Sequence, residues 1–375
     1  MPTSEKPALH LVPPSSRAQA KSTPSPRLRQ FAWFVLGYNV LVILWGALVR
    51  ATGSGAGCGN HWPLCNGQVI PQSPKIATII EFTHRAMTGA TTFLIIGLLI
   101  WIFRSTMRGH LARIAAVAST VLLVNEAFLG ALLVKLGYVV QSQSPGRFIV
   151  LPIHLANTLL LLAALTLTAS FLSRNLSRRT LQVDKRLLLL ALLGLGASIL
   201  TGVSGSLAAL GDTLFPSVSL AAAMTQDFAA RGSWIIRLRW VHPASALVAA
   251  IFVVWLILRS RNQAAPATNA TAGKHPGAAA TSPASPGTTS LRRAQDNPGA
   301  PSFAASSQRV GTLGYLTAAL LLSQILIGIA DVLLLAPTWM QIVHLLGADL
   351  YWIALTLLAS EIVLRSSGQR AGLTH

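Results

Sequence analysis

Four histidines stand inside long apolar runs of this chain: His84, His154, His242 and His344. An ionisable side chain in hydrocarbon is costly and is a functional candidate by default, although one such histidine alone often only bonds a neighbouring helix. Paired imidazoles on facing helices bind a haem iron from both axial sides. Zinc takes three or four ligands together, usually with cysteine or carboxylate, and no cysteine lies in these runs. The four histidines therefore favour two haem sites.

Acidic residues also occur inside the apolar runs. Glu81 lies three residues before His84, so the two side chains share one helix face. Glu81 is a candidate for stabilising charge or taking a proton at the edge of a haem, and an ion pair with Arg85 is the alternative. Glu126 and Asp331 have no partner that the sequence assigns, and structural pairing is as reasonable for them as function.

Three arginines near the histidines are candidates for binding haem propionates: Arg85, Arg237 and Arg239. A guanidinium group binds a carboxylate through two parallel hydrogen bonds, which suits a propionate. The alternative is a purely interfacial role, in which the long side chain reaches from the hydrocarbon edge to the polar headgroups.

The composition places these residues in a membrane protein. The chain of 375 residues is 52% hydrophobic and only 10% charged, with a formal net charge of +19, whereas a soluble domain has about 25% charged residues. A nucleic-acid-binding protein carries its positive charge on a polar surface. Here the basic residues cluster between apolar runs, as in the cytoplasmic loops of a multi-pass membrane protein. We therefore expect a lipid bilayer as the environment and no nucleic acid as a partner.

The sequence predicts eight membrane-spanning helices, each with the roughly 20 apolar residues that a span needs. The predicted spans are 31–50, 78–103, 112–134, 149–172, 187–210, 235–258, 310–335 and 340–364. Four further segments are expected on the cytoplasmic side: a disordered tail at 1–30 without a cleaved signal peptide, a basic connection at 173–186, a disordered linker at 261–308 and a tail at 365–375.

The basic residues also predict the orientation. Of the 29 lysines and arginines, 21 lie in the tails and the even-numbered connections. Because positive charge accumulates on the cytoplasmic side, both termini are expected in the cytoplasm. All four membrane histidines then lie within about two turns of the extracytoplasmic ends of their helices.

An internal repeat relates the two halves of the chain. Glycine and histidine alternate in the same order along the two sets of four spans: Gly46, His84, Gly130 and His154, then Gly202, His242, Gly328 and His344. Four matches in register indicate a duplicated four-helix unit. Each unit has an even number of spans, so both insert the same way up, as in a parallel repeat. Small residues at these positions let helices or a porphyrin approach closely.

Two stretches resemble a known family. GALVRATGSGAGCGNHWPLCNGQVIP, followed by IIEFTHRAMTG, resembles the haem A synthase family, as does the order of histidines in the second half. The resemblance covers residues 31–364 apart from the linker. It implies an all-α integral membrane protein with eight transmembrane helices in two pseudo-symmetric four-helix bundles. The N-terminal bundle would be 31–172, and the C-terminal bundle would combine 187–260 with 309–364.

The resemblance also implies an activity and roles for the site residues. Members of the family are oxidoreductases that convert haem O to haem A by oxidising a ring methyl to a formyl group. By resemblance, Glu81 is the catalytic carboxylate, and His84 with His154 faces the substrate haem O. His242 and His344 are the axial ligands of a resident haem b.

The resemblance implies partners and a location as well. The expected partners are the haem O synthase (protohaem farnesyltransferase) upstream and haem–copper oxidase assembly downstream, and the expected location is the bacterial cell membrane. The sequence leaves the oligomeric state open, including a homo-oligomer.

Other protein classes are compatible with parts of the pattern. The main alternative is a bis-histidine two-haem membrane cytochrome for electron transfer, although such proteins often place histidine pairs at both membrane faces. A transporter would show broken spans at the midplane, and a structural assembly factor would need no haem chemistry.

The loop TGSGAGCGNHWPLCNGQ contains both cysteines of the chain, Cys58 and Cys65. By resemblance they form a disulfide, which would persist on the extracytoplasmic side and is either structural or redox-active. A zinc site of Cys58, His61 and Cys65 would have only three ligands. We therefore expect the loop to act as a lid beside the first-half site.

The chain departs from the family at three places, one of which is the extra linker at 261–308. The loop after the fifth span contains no cysteine, which leaves out a second disulfide. Pro243 follows His242, whereas Arg85 follows His84, so the propionate pairing of the two halves is not expected to be identical.

Overall fold

The computed structural model describes residues 23–177, 181–183, 185–228, 234–264 and 303–366. Within these ranges the helices are α1 Pro26–Ala51, α2 Ile76–Ser105, α3 Leu111–Lys135, α4 Pro145–Arg174, α5 Lys185–Leu214, α6 Leu220–Phe228, α7 Trp234–Arg237, α8 Val241–Ala264, α9 Phe303–Leu333 and α10 Thr338–Val363. A 3₁₀ turn at Leu238–Trp240 precedes α8, and two short strands are β1 Leu181–Val183 and β2 Leu364–Ser366.

Eight of the described helical segments are long and apolar enough to cross a bilayer. They are α1 to α5, the segment Leu238–Ser260, α9 and α10. The segment Leu238–Ser260 consists of the 3₁₀ turn and most of α8. In hydrocarbon every backbone polar group must be bonded internally, and a helix achieves this within one segment. The prediction of an all-α, multi-pass membrane protein with eight spans is confirmed.

The first helix begins earlier than the hydropathy pattern predicts. α1 starts at Pro26, inside the expected tail 1–30, because Ser25 Oγ accepts a hydrogen bond from the Leu28 N–H at 3.2 Å. A serine cap followed by proline is a strong start signal that hydropathy does not register. The remainder of that expected tail, residues 1–22, lies outside the described residues.

The predicted linker is shorter at both ends than its composition suggests. α8 continues to Ala264 and α9 begins at Phe303, so helix extends into the expected linker 261–308. Residues 265–302 lie outside the described part of the chain, as do residues 367–375 of the expected C-terminal tail.

The sixth span is divided near its start. The chain forms α7, then the 3₁₀ turn, and α8 begins at Val241. Pro243 is the third residue of α8, where a helix does not require a backbone N–H, so the proline is accommodated in the first turn.

The two halves have the same arrangement of helices. In the first half, α1 contacts α2 and α4, and α3 contacts α2 and α4. In the second half, α5 contacts α8 and α10, and α9 contacts α8 and α10. Each half is therefore a closed ring of four helices with the same connectivity. The pairs between halves are α4 with α5, α4 with α10, and α1 with α10, which is the pattern that a two-fold relation between the rings produces.

α4 and α10 lie at the centre of the molecule. In the most apolar 18-residue segment of each span, half of the residues are buried in α4 and 44% in α10, more than in any other described span. Their inward faces carry fully buried leucines, including Leu162, Leu165, Leu355 and Leu358. The remaining spans leave most of their apolar surface for lipid.

Polar contacts join the halves at one end of the bundle. Arg174 at the end of α4 forms an ion pair of 2.9 Å with Glu361 of α10. β1 also pairs antiparallel with β2, so the connection after α4 is bonded to the segment after α10. We call the other end of the bundle, where the cysteine loop lies, the loop end.

Trp352 provides a test of the central contact. Its indole N–H donates to the Leu159 carbonyl of α4 at 2.7 Å, and its side chain is buried. W352F removes this donor and should cost about 1 kcal/mol. The thermal unfolding midpoint in detergent should fall by about 2–4 °C, whereas W255F, which changes a half-exposed tryptophan of α8, should leave it unchanged. Equal midpoints for the two variants would contradict a role for this hydrogen bond.

Candidate functional site

Each of the four membrane histidines packs against a glycine of the preceding span. The distances from a Cβ built on the glycine to the histidine Cε1 are 3.0 Å for Gly46 and His84, 3.8 Å for Gly130 and His154, 2.9 Å for Gly205 and His242, and 3.3 Å for Gly328 and His344. Real Cβ atoms are seldom closer than 3.4 Å to a neighbour, so most of these positions leave no room for a side chain. The glycines therefore give the imidazole rings a fixed position between two helices.

This contact corrects the repeat inferred from the sequence. The sequence comparison aligned Gly46 with Gly202, but the glycine that packs on His242 is Gly205. A Cβ at Gly202 would instead lie 2.8 Å from Leu159 Cδ1 of α4. Gly202 therefore serves the packing between the halves. Comparison of short sequence segments selected Gly202 instead of Gly205, because residues three or four positions apart lie on the same face of a helix.

The second-half pair is arranged as two ligands of one metal would be. The ring centres of His242 and His344 are 6.3 Å apart and the ring planes are nearly perpendicular, at 89°. The Thr201 carbonyl lies 3.0 Å from His242 Nδ1. Because a carbonyl only accepts, Nδ1 carries the proton and Nε2 keeps its lone pair, the form in which histidine binds a metal.

The first-half pair has a carboxylate beside it. Glu126 Oε1 of α3 lies 3.4 Å from His154 Nδ1. Sequence reasoning left Glu126 without a partner, although its position four residues before Gly130 places both on the histidine-facing side of α3. His84 has no hydrogen-bond partner at Nδ1 among the described residues, so its ring position rests on packing against Gly46.

The histidine pair of the second half fits a haem. The ring centres of His242 and His344 are 6.3 Å apart, a separation that leaves room for one metal ion between two imidazoles at metal–nitrogen distances of about 2 Å. His242 Nδ1 has a carbonyl partner, and the Glu126 carboxylate lies 3.4 Å from His154 Nδ1 without a hydrogen bond to it. Carbonyls and carboxylates are the usual outer contacts of metal-binding histidines. Within the described chain no group of three or more His, Cys, Asp or Glu side chains forms a metal site, so two-histidine ligation of a haem iron matches the donor set better than zinc.

Glu81 is buried beneath the cysteine loop. It is 3% exposed. Its Oε2 accepts from the Cys58 backbone N–H at 2.8 Å and its Oε1 from Arg85 Nη2 at 2.5 Å. Both interpretations of the sequence are thus compatible: the carboxylate pairs with Arg85 and also lies one turn from His84 on the same helix.

The cysteines form a disulfide, with their Cα atoms 4.4 Å apart. Disulfide sulfurs are not thiolates, which removes the zinc set of Cys58, His61 and Cys65. Arg85 Nη1 binds the His61 and Leu64 carbonyls at 2.5 and 2.6 Å. The loop is therefore bonded to α2 at Glu81 and, one turn later, at Arg85.

The three propionate candidates occupy different positions. Arg85 contacts Glu81 and the cysteine loop. Arg239 forms ion pairs with Asp212 at 3.0 Å and Asp227 at 3.3 Å, and Arg237, which is itself exposed, lies in α7. In this arrangement Arg85 and Arg239 bind protein groups of their own half, and propionate binding by all three stays a prediction.

Arg50 joins the halves at the loop end, which sequence reasoning did not predict. It lies at the end of α1, yet its guanidinium donates to the Ala209 carbonyl and Thr213 of α5 and to Gln341 of α10, at 3.0, 3.2 and 2.8 Å. Sequence position alone gave no signal for this contact, since the partners are at least 159 residues away.

Gly205 offers a test of the second-half site. G205A should push the His242 ring from its position, because the added Cβ would lie 2.9 Å from His242 Cε1. We expect roughly a tenfold weaker retention of haem in that half, measured as haem per chain in purified protein. G196A on the same helix is the matched control, since a Cβ there meets no heavy atom within 4 Å. Equal haem content in the two variants would contradict the assignment.

The chain is similar to known proteins. The family model COX15-CtaA, described as cytochrome oxidase assembly protein, matches residues 29–282. A Protoheme IX farnesyltransferase of Thermus thermophilus is 38% identical over 344 residues, which are 91% of this chain and 49% of that protein. The Heme A synthase of Alkalihalophilus pseudofirmus is 41% identical over 128 residues, 34% of this chain and 40% of the relative. That of Shouchella clausii is 45% identical over 105 residues, 28% and 33% respectively.

The extent of these matches differs between the family model and the individual relatives. The chain spans about half the length of the Thermus protein and less of the two synthases. The family model, by contrast, matches about two thirds of the chain. The resemblance found in the sequence is confirmed: the chain belongs to the COX15-CtaA family of cytochrome oxidase assembly proteins, the haem A synthase family.

Proposed function

We propose that this protein is a haem A synthase that oxidises a ring methyl of haem O to a formyl group. One observation carries the proposal: a buried carboxylate, Glu81, lies one helical turn from His84 beneath a disulfide-closed loop. The Heme A synthases among the relatives support it. An electron-transfer cytochrome requires the four histidines but has no use for this carboxylate.

The first half supplies the reaction site. His84 and His154 are proposed to bind the iron of the substrate haem O, with their rings positioned by Gly46 and Gly130. Conversion of a methyl to a formyl group is a four-electron oxidation, R–CH₃ + H₂O → R–CHO + 4 H⁺ + 4 e⁻ when water supplies the oxygen. Electrons must therefore pass, through the proposed second-half haem, to an external oxidant, and protons must leave the reacting carbon. Glu81 is the buried acceptor near that edge, and its hydrogen bonds from Cys58 and Arg85 fix its position.

The cysteine loop covers this site. Because Glu81 bonds directly to the Cys58 backbone, the disulfide restricts the loop that positions the carboxylate. Exclusion of water by such a cover strengthens the electrostatic interactions beneath it. We assign the disulfide this structural role beside the reaction site.

The second half is proposed to bind a resident haem b through His242 and His344. When bound, haem b accepts and passes on single electrons. The Thr201 carbonyl and Gly205 fix the His242 ring for this purpose. Both histidine pairs lie at the loop end, which suits exchange between two neighbouring sites better than transport of electrons across the membrane.

The proposed setting follows from the same observations. The excess of Lys and Arg away from the loop end predicts that both termini are cytoplasmic, and the disulfide suits an extracytoplasmic loop. In a bacterial cell membrane the chain would act after a protohaem farnesyltransferase and before oxidase assembly. The Thermus relative of that name, which contains a segment similar to 91% of this chain, supports the first partnership, and the family description supports the second.

The decisive experiment is expression of the full chain beside a source of haem O. Extracted haems are separated by chromatography and identified by mass. Haem A should appear only when the chain is present. Purified protein that contains haem but yields no haem A under these conditions would contradict the synthase and favour the cytochrome.

Replacement of the buried carboxylate tests its role. E81Q keeps the size of the side chain and removes its ability to take a proton, so haem A should fall by about 100-fold or more while haem O or its alcohol accumulates. E361Q is the matched control, because Glu361 is also buried and paired with an arginine but lies at the opposite end of the bundle. Unchanged haem A output from E81Q, at equal haem content, would remove Glu81 from the reaction.

A further inference from the structure

We propose that Glu126 is a positioning residue that makes the first-half haem iron the more electron-rich of the two. It would do so by placing a carboxylate on His154 that the second half lacks on His344. The inference rests on the proposed function in that it takes His154 as an axial ligand. It concerns the bound iron and does not require that the haem be oxidised to haem A.

Glu126 is fixed in place by residues of α4. Its Oε2 accepts from Asn157 Nδ2 at 2.5 Å, and its Oε1 accepts from the Thr158 hydroxyl. Asn157 is held in turn, because its Nδ2 also contacts the Leu122 carbonyl at 2.9 Å and its Oδ1 accepts from Asn125 at 2.8 Å. The carboxylate is thus oriented with Oε1 3.4 Å from His154 Nδ1.

His154 Nδ1 is the ring nitrogen available for such a partner. A histidine that binds iron through one nitrogen leaves the other to a carboxylate, a carbonyl or water. A carboxylate in this position fixes the ring and makes the metal-binding nitrogen more basic. A more basic axial ligand stabilises the ferric state relative to the ferrous state, so the reduction potential of that haem is lowered.

The repeat provides an internal comparison. Glu126 lies four residues before Gly130, and Gln324 lies four residues before Gly328, so the two occupy equivalent positions in α3 and α9. The partner on α4, Asn157, has Gly347 as its equivalent on α10, three residues after the histidine in each case.

Gln324 makes none of the contacts that Glu126 makes. Its amide packs against Gly347, where an added Cβ would overlap Gln324 Nε2. Neither its Oε1 nor its Nε2 has a hydrogen-bond partner among the described residues. His344 Nδ1 and His154 Nδ1 both lack a hydrogen bond there, but of these two histidines only His154 has an ion-pair contact with a carboxylate, at 3.4 Å. The second half therefore has a neutral amide where the first half has a carboxylate 3.4 Å from the histidine Nδ1.

The consequence is a difference between two otherwise similar sites. In the second half, it is His242 that has a fixed Nδ1 partner, and that partner is a neutral carbonyl. In the first half a carboxylate lies beside the opposite histidine of the pair, 3.4 Å from its Nδ1 and without a hydrogen bond to it. The geometry thus favours oxidation of the first-half haem and electron acceptance by the second-half haem, the direction that the proposed reaction needs.

The experiment is a redox titration of the full-length protein, purified from cells that make haem O and followed by the absorption of each haem. Two one-electron steps are expected in the wild type, with the first-half haem at the lower potential. E126Q should raise the midpoint potential of the first-half haem by about 59 mV or more, which corresponds to a tenfold change in the ferric-to-ferrous ratio at fixed potential. The midpoint potential of the second-half haem should stay unchanged. Q324E is the matched variant and should affect only the second-half step.

A milder variant covers the case in which E126Q fails to retain haem. T158V removes one donor to Glu126 and keeps its charge, so more of that charge is available to His154, and the first-half step should fall. E126D should restore most of the wild-type potential if the carboxylate is responsible. An unchanged first-half step in E126Q, or in T158V where E126Q loses haem, would overturn the inference, and so would a wild type with a single haem.

These outcomes are separable from those of the proposed function. A shift of the first-half step in E126Q without any haem A in the wild type would support the role of Glu126 and contradict the synthase. Haem A formation by the wild type together with an unshifted first-half step in E126Q would support the synthase and contradict the role of Glu126. A merely structural role of Glu126 would change stability and leave the potential where it is.

Discussion

The close contact between a glycine and a histidine on the next helix is the constraint on which the rest of this structure depends. Four imidazoles must be accommodated in hydrocarbon, where an unfixed polar ring is costly. A glycine opposite each ring lets the two helices approach, and at Gly46, Gly205 and Gly328 an added Cβ would lie within 3.3 Å of the ring. This requirement pairs α1 with α2 and α3 with α4, and their counterparts in the second half, and it produces the closed rings of four helices.

The same frame carries different chemistry in its two halves. Three residues before the first histidine, one half has the buried carboxylate of Glu81 and the other has Arg239. Glu81 bonds to a loop closed by a disulfide. Arg239 forms ion pairs with two aspartates of its own half, and these ion pairs stabilise the corresponding loop of the second half, which contains no cysteine. Under the proposed function, these differences between the halves suit the first half to a reaction and the second half to a resident cofactor.

The loop end forms one connected unit. Arg85 bonds the cysteine loop to α2, and Arg50 bonds the end of α1 to α5 and α10 of the other half. A buried guanidinium requires several acceptors, and these contacts provide them from both sides of the interface. At the opposite end the ion pair of Arg174 with Glu361 has the same effect. The halves are therefore joined above and below the leucine-rich contact of α4 with α10.

The sequence by itself determined the membrane environment, the eight spans, the four histidines and the family, because composition, apolar length and a nearly contiguous motif are local properties of the chain. It missed the start of α1 at Pro26, since capping depends on one side chain rather than on hydropathy. Only the tertiary structure decided that Gly205 rather than Gly202 packs on His242, that Glu126 lies beside His154, and that Arg50 crosses to the other half. These contacts join residues on different helices, and which helix faces meet is set by packing of the whole bundle rather than by any single segment.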